Sequence, residues 1–165
     1  MLMRHLLFLL FTVFTFAQQT QKVDFKTAFG NISINPIEKK VSGSVRYVFD
    51  VKQAIDTIKI DAQMMAVTNV KINNKVVKFT NTGKTVNLFE GYKPGKNTVT
   101  FNYVATPKQT IYFNGDFSNE SISNQQVWTQ GQGKYTSYWF PSFDDVNEKV
   151  VFNLNISFDK KYQVL

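Results

Sequence analysis

Val150-Val151-Phe152-Asn153-Leu154-Asn155-Ile156-Ser157-Phe158 carries an apolar side chain at every second position from 150 to 158, with Asn153, Asn155 and Ser157 in between. Successive side chains of a β-strand point to opposite faces, so this spacing predicts a strand with one buried and one wet face. The same alternation recurs upstream. Val45, Tyr47, Phe49 and Val51 interleave with Ser44, Arg46 and Asp50, and Val99, Phe101 and Tyr103 interleave with Thr98, Thr100 and Asn102. Strands with one apolar and one polar face belong to antiparallel sheets. Turn signals separate the runs: Asn73-Asn74 between Val70-Lys71-Ile72 and Val76-Val77-Lys78-Phe79, then Thr82-Gly83-Lys84, then Lys93-Pro94-Gly95-Lys96-Asn97. The expected fold is all-β, a mainly antiparallel β-sandwich whose core is filled by bulky rings from the 16 Phe and 7 Tyr.

Residues 1–17 read as a cleavable signal peptide, and 18–165 as one β-sandwich domain. Arg4 and His5 form a short basic start, Leu6 to Phe16 is apolar apart from threonines, and Ala17 is a small residue at the cleavage position. The apolar run is too short to span a bilayer, which takes roughly 20 residues. The flank Gln18-Gln19-Thr20-Gln21 lacks a basic stop, and no cysteine follows to carry a lipid. The expectation is export, to a periplasmic, cell-surface or extracellular location, with no stable membrane span after cleavage.

Composition excludes several chemistries. There is no cysteine, and His5 is the one histidine, so Ser-His-Asp and Cys-His nucleophile systems cannot be assembled from the chain. A catalytic zinc takes three protein ligands, normally with an imidazole or thiolate among them, and an H-E-x-x-H helix is missing. No metal site and no catalytic residue is therefore expected in this chain. With Arg4 removed from the 19 Lys and Arg, and 12 Asp and Glu opposing them, the mature charge is +6. The lysines fall singly or in pairs between apolar positions, as on the solvent face of a sheet, and nucleic acid is not an expected partner. From Asn114 to Gln126 the chain turns polar, a loop suited to a binding surface.

Immediately after that loop, Thr129-Gln130-Gly131-Gln132 is followed by Ser137-Tyr138-Trp139-Phe140-Pro141-Ser142-Phe143-Asp144-Asp145 and Asn147-Glu148-Lys149. This segment resembles the end of the N-terminal domain of the M1 family of zinc aminopeptidases, with its T-Q-x-[E/Q] and hydrophobic-Pro-x-hydrophobic-Asp-[Asp/Glu] pattern. Val23-Asp24-Phe25, Ile32-Ser33-Ile34, Val45 to Val51 and Ile58 to Ala62 extend the likeness, though many sandwiches would match them. Ser142 and Val146 depart from the Cys and Pro common in that family.

The resemblance implies a saddle-like domain and a substrate-binding role for Gln132, which would accept from the free α-amino group of a peptide and shape the pocket for its first side chain. A Gln carbonyl offers an acceptor without a second buried charge. Gln130 is the weaker substrate-binding candidate. Trp139, Pro141, Asp144, Asp145 and Lys149 are expected to be structural, with Asp144 pinning the turn after Pro141 and Lys149 as its possible partner. Zinc would belong to a catalytic domain of the same polypeptide downstream, making this chain an incomplete, inactive piece of the enzyme, cut off near its C-terminal end. The alternative is a stand-alone exported binding module for carbohydrate or protein, with Trp128, Tyr135, Tyr138 and Trp139 as stacking aromatics. An exposed aromatic row favours that alternative, and an apolar patch suited to a missing domain favours the peptidase. Asn31, Asn119 and Asn155 each begin an Asn-x-Ser sequon.

Overall fold

The computed structural model describes residues 18–119 and 124–163; the expected signal peptide, 1–17, lies outside them. After a single helical turn, α1 (Gln19–Lys22), the chain is almost entirely strand. β1 (Val23–Asn35) and β2 (Lys40–Val51) form a long hairpin. Asn35 Oδ1 closes its turn by accepting from the Glu38 amide at 3.1 Å, with Lys39 at φ 51°. β3 (Ile58–Asp61), β4 (Met65–Ile72) and β5 (Lys75–Val76) follow. Asn73-Asn74 joins the last two with φ of 50° and 66°, the left-handed pair that a tight two-residue hairpin demands and asparagine tolerates. β6 (Phe79–Asn81), β7 (Thr85–Leu88), β8 (Gly95–Ala105), β9 (Ile111–Asn114) and β10 (Gln126–Thr129) lead to a 3₁₀ turn at Thr136–Tyr138 and to β11 (Val151–Ser157).

These strands make a six-stranded sheet in the order β11-β1-β2-β8-β4-β5, a three-stranded sheet β3-β7-β6 and the β9-β10 ribbon. One apolar cluster draws on the two larger sheets: Phe25, Tyr47, Phe49, Phe101 and Tyr103 from the first, and Ile58, Ile60, Val86 and Leu88 from the second. Within it Phe25 stacks on Phe49 at 5.0 Å and meets the edge of Tyr47 at 5.5 Å, arrangements that aromatic quadrupoles favour. β2 and β8 show the anticipated alternation of buried and open positions. Among the described residues no helix is long and apolar enough to cross a membrane.

Two expectations need correction. The run Val76 to Phe79 is not one strand: β5 ends at Val76 and β6 begins at Phe79 in the other sheet. Val77 is buried at this crossing, so the chain changes sheets there instead of alternating faces. β11 differs more. It pairs parallel to β1, Thr27 opposite Val151 through Ser33 opposite Ser157, and all seven of its residues are exposed. Its apolar positions do lie on the core side, with Phe152 edge-on to Phe140 at 5.9 Å and Leu154 over Gly30. That cover is incomplete, leaving Phe152 45%, Leu154 38% and Ile156 47% exposed. The direction follows from the preceding turn. Glu148 accepts from the Phe25 amide near the start of β1, so the chain enters β11 running the same way as β1. The register sets Asn31-Ile32-Ser33 beside an identical tripeptide, Asn155-Ile156-Ser157, with Asn155 Nδ2 donating to Asn31 Oδ1 at 3.1 Å.

Candidate functional site

The segment singled out in the sequence divides into an exposed turn and a buried strap. Gln130, Gly131 and Gln132 sit in the turn that follows β10, with both amide side chains exposed. Thr110 holds this turn at two points: its carbonyl accepts from the Gln130 amide at 2.8 Å and its Oγ1 donates to the Tyr135 carbonyl at 2.9 Å. Thr110 is buried and has φ 71°, a left-handed conformation costly for a β-branched residue, so the surroundings impose it. Sequence reasoning missed Thr110, since a threonine in a polar connection carries no mark of this conformation. At Gly131 an added Cβ would come within 2.3 Å of Thr136 Oγ1, so a side chain there requires Thr136 to shift.

Gln130 Nε2 donates to Gln132 Oε1 at 3.1 Å. That fixes the Gln132 amide while occupying one of its oxygen's two lone pairs, so the second stays open to an incoming donor. Aromatic rings flank the turn. Tyr112 and Trp128 stack at 4.3 Å on the β9-β10 ribbon, Trp128 being 42% and Tyr135 49% exposed. Trp139 instead packs partly buried against the core.

The strap runs from Ser137 to Glu148. Phe140 and Pro141 are buried, and Tyr47, itself fully buried, donates its hydroxyl to the Pro141 carbonyl. Phe143 closes over Phe25 at 4.3 Å. Ser142 and Asp61 exchange backbone bonds of 2.9 Å, tying the strap to the end of β3. The adjacent carboxylates diverge, as neighbours on extended chain must. Asp144 Oδ2 accepts from Ser137 Oγ at 3.0 Å, while its amide donates to Asp61 Oδ2 at 2.8 Å. Burial pushes the Asp144 carboxyl above the usual carboxylate range, with the Ser137 hydroxyl acting against it. Asp145 Oδ1 caps the next turn by accepting from the amide and side chain of Asn147. Lys149 is not the partner of Asp144: Ser137 takes that place, and Lys149 is exposed.

Glu148 lies within the segment singled out in the sequence, which gave it no role of its own. Its Oε1 accepts from the Phe25 amide at 3.1 Å, and its Oε2 is buried without a partner. Burial raises its pKa to about 7, and the nearby Asp24 and Asp145 push it the same way against the opposing Phe25 amide. Among the described residues no three His, Cys, Asp or Glu side chains come together to hold a metal ion.

The model of the peptidase M1 N-terminal domain matches residues 20–165. The chain belongs to that family. No curated protein sequence matches it. Solved structures show the same fold. A yeast leukotriene A4 hydrolase in complex with bestatin superposes with a TM-score of 0.71 at 18% identity, over 82% of this chain and 23% of that one. An M1 zinc metallopeptidase from Deinococcus radiodurans gives a TM-score of 0.66 at 16% identity, over 82% of this chain and 32% of the other. A mutant of the latter enzyme has been solved bound to a Tyr-Ser-Ala substrate. The match to this M1 N-terminal domain thus takes up 23% of one of these structural relatives and 32% of the other.

Proposed function

We propose that this chain is the N-terminal domain of an exported M1-type zinc aminopeptidase and that Gln132 helps bind the free amine of the peptide substrate. Family membership supports the enzyme class. The carrying observation for the site is the braced amide: Gln130 holds Gln132, Thr110 holds the turn, and one lone pair of Gln132 Oε1 is left for an ammonium donor. A site that reads a terminal amine selects exopeptidase action, because an internal peptide nitrogen leaves the acceptor unpaired. The zinc of such an enzyme would polarise the scissile carbonyl and activate water. The residues described here do not fit that metal, and on this reading its ligands would come from a catalytic domain of the same polypeptide.

In the complete enzyme, Gln132→Ala should lower kcat/KM for substrates with a free N-terminus by about tenfold or more, the range for losing a hydrogen bond to a charged group. Zinc content should stay the same. Kinetics equal to those of the unaltered enzyme would remove Gln132 from the site. The stacked Tyr112–Trp128 pair favours a second reading, a surface that binds sugar rings or another protein.

A further inference from the structure

The face of the six-stranded sheet turned away from the core is not flat. It contains a depression of about 660 Å³ crossing β11, β1, β2, β8 and β4, within the size range of small-ligand sites. The strand register fixes which side chains line it. One row runs from Asn153 through Phe29, Arg46 and Thr100 to Lys71, and the next from Asn155 through Asn31 and Ser44 to Asn102. At about 4.8 Å between strands, five strands make a trough roughly 19 Å long. At the β4 end a bulge between Thr68 and Lys71, with Asn69 at φ 57°, turns a further amide into the trough, as bulges commonly do.

The chemistry of this lining is selective. It holds two cations, Arg46 and Lys71, and no carboxylate. Neither cation forms an ion pair among the described residues, where the acidic partners Asp24 and Glu38 are taken by Lys26, Lys52 and Lys40. The Arg46 guanidinium carbon lies 4.3 Å from the centre of the Phe29 ring, a cation–π contact. The other polar groups are amides and hydroxyls, which donate and accept at once and so match vicinal hydroxyls.

We propose that this trough binds an acidic oligosaccharide, a chain of hydroxyl-rich sugars bearing sparse carboxylates. Arg46 and Lys71 take the carboxylates and the asparagine rows take the hydroxyls. A nucleic acid would need a cation for every phosphate and open rings for its bases, whereas here two cations serve five strands, Arg46 covers the Phe29 ring and Phe101 is buried in the core. The site is distinct from the Gln130–Gln132 turn, and it stands whether or not the peptidase reading holds.

The test is calorimetric titration of the chain with a galacturonate hexamer, alongside a neutral galactose hexamer, poly-glutamate and a single-stranded oligonucleotide. The expected result is saturable binding of the galacturonate hexamer, weaker in high salt. Arg46→Gln combined with Lys71→Gln should weaken it by about tenfold or more, as lost charge-assisted bonds do. Asn102→Ala should also weaken it while leaving its salt dependence unchanged. All substituted positions are on the surface, so thermal melting should confirm an intact fold. Absence of binding, equal binding of the neutral hexamer, tighter binding of poly-glutamate or oligonucleotide, or binding unaffected by the double substitution would each overturn the proposal.

Discussion

Glu148 is half-buried, with Oε1 on the Phe25 amide and Oε2 buried without a partner, and the fold bears a cost for it that depends on pH. Its pKa in the fold is about 7, against an ordinary value of 4.5. Between those values the folded chain binds a proton that the unfolded chain has released, so this residue's contribution is full below pH 4.5 and lost as pH rises through 7. Asp144, also shifted upward by burial, acts with the same sign. Asp24 acts in the opposite sense: hydrogen bonds from Lys26 and Lys52 hold its carboxyl low, so its contribution is present above its unfolded pKa and disappears in acid. Glu148→Gln keeps an oxygen for the Phe25 amide and removes the charge. Its melting temperature should match the original near pH 4.5 and exceed it at pH 8. Parallel melting curves across that range would show that the buried carboxylate has no part in the pH dependence.

The strap from Ser137 to Glu148 works as an element because each contact reaches a different part of the fold: β2 through Tyr47, the end of β3 through Asp61, and β1 through Phe25. Two tyrosines allow its hydrogen bonding to be measured. Tyr47 donates to the Pro141 carbonyl, while the Tyr103 hydroxyl is buried with no partner. Tyr47→Phe should cost about 1–3 kcal/mol by stranding a buried carbonyl, and Tyr103→Phe should be neutral or stabilising. Urea midpoints at constant m would read both, and equal shifts would sink the argument. Such long-range bonds mark the limit of what residue patterns disclose. Alternation made β2 and β8 legible, because Val45, Tyr47, Phe49 and Val51 on one, and Val99, Phe101 and Tyr103 on the other, do face the core. It could not give the partner or direction of β11, since a pleat specifies faces and leaves pairing to tertiary contacts. The Gln130–Gln132 turn stood out by composition, whereas Thr110 and Glu148 matter through backbone partners 25 and 123 residues away that no local spacing encodes.

At the scale of the whole molecule, β11 is the outer strand of the large sheet and has a partly open apolar side. A sheet edge offering unpaired backbone beside exposed Phe152, Leu154 and Ile156 invites pairing with another chain. The isolated chain should therefore gain mass with concentration in sedimentation runs, and Ile156→Lys should hold it monomeric; a concentration-independent monomer would show the edge to be protected already. The pairing of β1 with β11 also has a consequence in time. The two asparagines that face each other across this junction are 124 residues apart, which at ribosomal speeds is a delay on the order of ten seconds. For that interval the strand that emerges first has β2 on one side and nothing on the other. Whatever meets the nascent chain then, a chaperone or an export factor, meets it with its large sheet unfinished.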